Sequence, residues 1–204
     1  RRASLTITGG FLLGAVVAGL VAQWAPWPTV TPYVVQLALT AIAAIALARG
    51  TETAGPRSLR PGEQRLPRPI VDVAIAPEHR RRFLTVILPM APWVFAAPAL
   101  AFAVSPAIVV ERLGGLEIAF AALLTLVTLT VGFLIQPSVP RIAARVGGAS
   151  GSVGLGLLAV GALIVAANVA VQSPLLACAA GVLLGGAYGI CMLTGLMEVQ
   201  AMAG

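Results

Sequence analysis

The sequence contains no lysine, a single histidine and only seven acidic residues, and these shortages exclude several classes of protein. A metal site or a catalytic triad needs several histidine, cysteine or carboxylate side chains close together. His79 has three arginines directly after it, and the acidic residues all fall between the apolar runs of the sequence or at their ends. We therefore expect no enzyme activity, no cofactor and no metal site.

Charged residues make up only 10% of the chain, whereas about a quarter is usual in soluble domains, and 59% of the residues are hydrophobic. The mean hydropathy is +0.98. Six apolar runs of about 20 residues are each long enough to cross a bilayer as a helix. They cover residues 3–23, 31–48, 83–107, 116–135, 152–171 and 174–197. The sequence predicts an all-α, polytopic membrane protein with six transmembrane helices and the lipid bilayer as its first partner.

The thirteen arginines are unevenly distributed between the runs. If six helices alternate across a membrane, twelve arginines fall on one side and only Arg112 falls on the other. An arginine at mid-membrane costs about 2.5–3.5 kcal/mol, and short arginine-rich loops stay in the cytoplasm, so we expect both ends of the chain to be cytoplasmic. The net charge of +6 is thus explained by membrane topology, and we expect no nucleic-acid partner.

A long polar segment divides the six runs into a pair and a group of four. Residues 49–82 are rich in arginine and proline, which is typical of a linker between bundles. Within it, residues 70–76 are apolar but too short to span a bilayer, so they could lie at the membrane surface or along a partner bundle. The predicted organisation is two helices in 1–48, a cytoplasmic linker in 49–82 and four helices in 83–204.

The third run is unusual because it contains several prolines, among them Pro89 and Pro92, with Trp93 one turn beyond Pro89. Each interior proline removes a backbone hydrogen bond and kinks the helix, so we predict a bent or broken helix. Lipid tolerates this only where protein or a water-lined cavity satisfies the freed carbonyl groups. Two interpretations of this helix are equally open: it lines a cavity, or it is a kinked helix that only packs against its neighbours.

Glycines recur at four-residue spacing in two runs, and such stripes let helix backbones approach closely. They are Gly10 and Gly14 in the first run, and Gly181, Gly185 and Gly189 in the sixth. Helix packing is the role we predict for both stripes.

A few uncharged polar side chains are candidates for contact with a solute. Thr125 and Thr128 share one face of the fourth run with Gly132, and Tyr188 lies on the sixth run. The alternative for each threonine is a hydrogen bond to a carbonyl of its own helix.

The segment GGFLLGAVVAGLVAQWAP resembles the fifth helix of a major facilitator superfamily transporter, whose antiporter signature is G-x-x-x-G-P-x-x-G-G. Gly10, Gly14 and Gly19 match, while Ala15 replaces the proline and Ala18 a glycine. The segment GFLIQPSVPRIAARVGG resembles the loop G-x-x-x-D-R-x-G-R-R after the eighth helix of that family, and GLMEVQ resembles the end of the tenth helix in a bacterial, drug-efflux-like subgroup.

This resemblance implies that the chain corresponds to helices five to ten of twelve in a two-bundle fold. It further implies secondary active transport, by alternating access, of a small-molecule solute across a bacterial plasma membrane, with efflux as the direction and a proton as a candidate coupling ion. A non-transporting six-helix scaffold is the alternative.

The proline kinks of the third run, the threonines of the fourth and the glycine stripe of the sixth motivate the choice of cavity residues. The predicted substrate cavity comprises Pro89, Pro92, Trp93, Thr125, Thr128 and Tyr188. Arg141 and Arg145 correspond to the arginines of the family loop and would latch a cytoplasmic gate by bonding helix ends and carboxylates. Their alternative role is to signal topology alone.

Overall fold

The computed structural model of the protein describes residues 2–50 and 77–203, and these residues are helical with no β-strand among them. The helices are α1 (Arg2–Trp24), α2 (Thr31–Ala48), α3 (Pro77–Ile108), α4 (Glu117–Arg145), α5 (Ser150–Val171) and α6 (Pro174–Ala203). Within the described ranges, α2 to α6 each contain a stretch long and apolar enough to cross a membrane, and α1 has a shorter apolar part, Leu13–Trp24. The chain is therefore all-helical, with the composition of a multi-pass membrane protein.

Some helices extend beyond the apolar runs that predicted them. The bounds of α2 are those predicted, whereas α3 begins at Pro77 rather than at Phe83. The polar residues of Pro77–Arg82 continue the helix, because backbone hydrogen bonds do not require an apolar surface once the chain has left the membrane. The last residues of the predicted linker thus belong to α3, and residues 51–76 of that linker lie outside the described residues.

The proline-rich helix α3 is widened rather than broken. It contains two π-helical turns, Phe83–Ile87 and Leu100–Val104. In each turn, the N–H of the residue just before a proline donates to the carbonyl oxygen five residues earlier, as Ser105 does to Leu100. The Ser105 hydroxyl also donates to the Leu100 carbonyl, at 2.8 Å. The helix therefore continues up to these prolines with wider, i to i−5 hydrogen bonds.

Helix α6 forms the centre of the described structure. It packs against α3, α4 and α5, and it is the most buried of the candidate spans. The largest cluster of buried apolar side chains joins α3, α5 and α6, with Ala101, Leu158 and Leu184 among its members. In contrast, α2 buries none of its residues and packs mainly on α1, which in turn packs along α4.

Polar contacts between helix ends establish which ends lie together. Arg82 near the start of α3 pairs with Glu198 near the end of α6, and Ser150 at the start of α5 bonds Thr194 of α6 at 3.0 Å. Gln23, near the end of α1, bonds the start of α4 at the opposite end. The arginines whose side chains are described at one end of the helices, here called the arginine end, are Arg49, Arg80, Arg81, Arg82, Arg141 and Arg145. Arg112 lies at the other end.

Candidate functional site

The closest contact between helices lies along the glycine stripe of α6. A Cβ atom at Gly185 would overlap the carbonyl oxygen of Thr128, and one at Gly189 would overlap the carbonyl oxygen of Gly132. Since both helices advance by four residues between these contacts, α4 and α6 run parallel. Only glycine permits this approach, because the obstructing atoms are backbone atoms with no other rotamer to adopt.

Two of the predicted cavity residues lie at this α4–α6 contact. The ring of Tyr188 covers Gly132, with its Cδ1 atom 2.6 Å from the position that a Cβ at Gly132 would take. Thr128 is fully buried, and its hydroxyl has no hydrogen-bond partner among the described residues. Thr125, one turn earlier, is half-buried and donates to the Ala121 carbonyl at 2.8 Å, which is the alternative we considered for it. Thr128 is thus a buried donor with no partner in the described part of the chain.

The other predicted cavity residues lie in different surroundings. Pro89, Pro92 and Trp93 are on the exposed side of α3, and Trp93 keeps 42% of its surface exposed. The buried side of the same helix carries Met90, which touches α5, and Ala97, which belongs to the main cluster. The structure therefore separates the predicted residues into buried Thr128, half-buried Thr125 and Tyr188 on α4 and α6, and an exposed group on α3.

The glycine stripe of α1 is open, unlike that of α6. No described atom lies within 4 Å of the positions that Cβ atoms would take at Gly10 or Gly14. Both glycines line a groove of about 410 Å³ between α1 and α2, whose polar lining comes from Gln36 and Thr40. The close packing predicted at this stripe is absent from the described part of the chain.

The pair α1–α2 meets the group α3–α6 mainly along α1 and α4. A Cβ at Gly19 would overlap that of Ala122, so the two helices touch closely there. At the end of α1, the side-chain oxygen of Gln23 accepts from the Ala119 N–H at 2.9 Å, and its amide nitrogen donates to the Gly115 carbonyl at 3.2 Å. Gln23 could not be singled out from the sequence, because only the pairing of α1 with α4 distinguishes it from other polar residues at the ends of the apolar runs.

An ion pair at the arginine end was also missed by the sequence analysis. The Arg82 guanidinium binds the Glu198 carboxylate through two hydrogen bonds, of 2.5 and 2.8 Å. These residues are 116 positions apart in the chain, so no local pattern could pair them. Arg141 and Arg145 are exposed and make no hydrogen bond or ion pair to any described residue. Among the described residues, no carboxylate pairs with either arginine, and the latch predicted for them stays a prediction.

Within residues 2–50 and 77–203, no group of three histidine, cysteine, aspartate or glutamate side chains is placed to hold a metal ion. The two cysteines, Cys178 and Cys191, are free. No protein-family model, curated protein or solved structure matches the chain. Its function therefore has to be argued from its geometry and from the resemblance of its short motifs.

Proposed function

We propose that the chain is part of a secondary active transporter of the major facilitator superfamily, with six membrane spans corresponding to helices five to ten of twelve. Its orientation places the arginine end in the cytoplasm of a bacterial cell. The transporter exports a small solute by alternating access, and a proton is the coupling ion we would test first. The proposal rests on motif resemblance and on the arrangement of two helical units.

The observation that carries this proposal is the joint between the units, which lies mainly along one pair of helices, α1 and α4. The group α3–α6 is held together by close glycine contacts and a shared apolar cluster, so it can move as one body. In the pair α1–α2, α1 packs extensively along α4, whereas α2 packs only lightly on α1 and buries none of its residues. Two bodies joined along one helix pair can rock about that line, and such rocking about a central site is the movement that alternating access requires.

Gln23 would hold the units together at the end away from most arginines. Its two hydrogen bonds reach the backbone at the start of α4, whereas Arg82 and Glu198 at the other end both belong to the group α3–α6. In this interpretation, the conformation is closed at the outer end. Arg141 and Arg145, free here, would engage carboxylates or helix ends only when the inner end closes.

Bridging the two units tests the proposal directly. Gln23→Cys and Ala119→Cys are introduced into the full-length protein after Cys178→Ser and Cys191→Ala, and a short, reducible bifunctional thiol reagent joins them. In proteoliposomes with an imposed proton gradient, a panel of amphipathic fluorescent cations is followed across the membrane. We expect flux to stop on bridging and to return after reduction.

Each single-cysteine variant treated with the same reagent is the matched control, since modification without bridging should leave most of the flux intact. Unchanged flux through the bridged protein would overturn the proposed rocking. If no solute moves with or without cross-linking, the non-transporting scaffold becomes the better description of the chain.

A further inference from the structure

The arginine end carries far more positive charge than the acidic side chains of the described residues neutralise. Besides its six arginines, the described chain there has two glutamates, Glu78 and Glu198. Glu198 is occupied by Arg82, in the one ion pair formed within the described ranges. Arg80, Arg81 and the two arginines at the end of α4 are exposed, and none of them forms an ion pair with a described residue.

The register between α4 and α6 indicates the height at which these arginines lie. Thr128 is opposite Gly185 and Gly132 is opposite Gly189, so each α4 residue faces the α6 residue 57 positions later. Continued through the 3-10 turn Gln136–Ser138 of α4, this offset places Arg141 at about the height of Glu198, the residue that binds Arg82. The arginines of α3 and α4 thus share one level, where the apolar parts of the helices end.

Arg141 and Arg145 are particularly suited to hold an external anion. They are four residues apart in the helical turns Val139–Arg145, and residues at this spacing lie on one face of a helix. Two like charges on one face repel each other, and an anion bound between them offsets this repulsion by attracting both. The planar guanidinium group donates forked hydrogen bonds that match phosphate oxygens.

We propose that Arg141 and Arg145, assisted by Arg80 and Arg81, bind the phosphate groups of anionic phospholipids at this surface of the membrane. Phosphate is the chemistry recognised, and inorganic phosphate shares it. The lipid is the source to which the geometry points, because the arginines lie where the spanning helices leave the hydrocarbon and meet headgroups. Juxtamembrane basic clusters gain affinity for anionic lipid with each arginine near the surface.

The test uses the full-length protein reconstituted in phosphatidylcholine bilayers with spin-labelled phosphatidylglycerol or spin-labelled phosphatidylcholine as the probe. Electron spin resonance gives the association of each probe with the protein. We expect preference for phosphatidylglycerol, reduced about fivefold for each of Arg141→Gln and Arg145→Gln. The matched control is Arg112→Gln, also exposed but at the opposite end, and it should leave the preference unchanged.

Three outcomes would overturn the proposal. The first is equal association of both probes with the unmodified protein, and the second is an equal loss in Arg112→Gln. The third is full displacement of phosphatidylglycerol by millimolar inorganic phosphate, which would make a free anion the ligand. Thermal unfolding of each variant shows that it is folded, and the lipid measurement does not depend on transport, so its failure is separable from that of the proposed function.

Discussion

The glycine stripe of α6 gives the sharpest test of the packing, through the change Gly185→Ala. The added methyl group would overlap the carbonyl oxygen of Thr128. It would also lie 3.0 Å from the carbonyl carbon and 3.1 Å from the Cα atom of Thr128. All three are backbone atoms, so no side-chain rotation relieves the clash. Carbon contacts are most favourable at about 3.5–4.0 Å, so α4 and α6 must separate by roughly 1 Å.

The cost of this separation is isolated by comparison with Gly195→Ala. Gly195 is also within α6, but no described atom lies within 4 Å of its Cβ position. Both changes gain the helix propensity of alanine, about 1 kcal/mol, so that gain cancels in the difference between the two variants. What remains is overpacking, typically about 1–3 kcal/mol. Gly185→Ala should therefore be less stable than Gly195→Ala by that amount.

Thermal unfolding of the purified full-length protein in mild detergent, followed by circular dichroism, measures this difference. Each kcal/mol corresponds to about 2–4 °C in Tm for 150–250 residues, and to a smaller shift in a longer protein. Gly181→Ala should fall between the two, since its nearest obstacle is the rotatable Thr128 hydroxyl, at 3.2 Å. If Gly185→Ala unfolds at the same temperature as Gly195→Ala, the parallel α4–α6 contact described above is refuted.

Three further changes probe polar groups between helices. Thr128→Val replaces a buried, unpartnered hydroxyl with a methyl group, so the free energy of unfolding should rise by about 1–2 kcal/mol, and a fall would mean that the hydroxyl has a partner. Gln23→Leu removes both hydrogen bonds to the start of α4 and should increase the distance between spin labels on α1 and α4. Gln36→Leu is the control, because the Gln36 side chain bonds only within α2, and it should leave that distance unchanged. Equal distances in both variants would argue against Gln23 as a link. Arg82→Gln and Glu198→Gln should lower Tm equally, and the double variant should add nothing more, while additive losses would show that the two residues act separately.

The sequence predicted the helices well, because hydrocarbon imposes one requirement on every residue of a span. Apolar runs marked α2 at both ends and α5 to within a few residues. The same criterion placed the start of α3 too late, since hydropathy reports where a helix leaves the membrane and not where its hydrogen bonds end. The prediction of a bent or broken helix at the prolines did not include π-helical turns, in which an N–H donates to the carbonyl five residues earlier.

The candidate site was less accessible to sequence reasoning, because its contacts depend on which helices are neighbours. The four-residue glycine spacing predicted close packing for both stripes, yet Gly185 meets α4 and Gly14 faces a groove. The glycine patterns of α1 and α6 differ little, so only the arrangement of the helices shows which stripe is closely packed. The same is true of the Arg82–Glu198 pair, whose partners lie in the third and sixth helices.

The most direct test of the account is the side of the membrane to which the arginine end belongs. Val110 and Val146 are exposed valines at opposite ends of the helices, and each is replaced by cysteine in the full-length protein without Cys178 and Cys191. Intact cells are treated with a membrane-impermeant maleimide, before and after permeabilisation. We expect Val110→Cys to react in intact cells and Val146→Cys to react only after permeabilisation. The reverse pattern, or reaction of both in intact cells, would contradict the proposed topology and the transporter built on it.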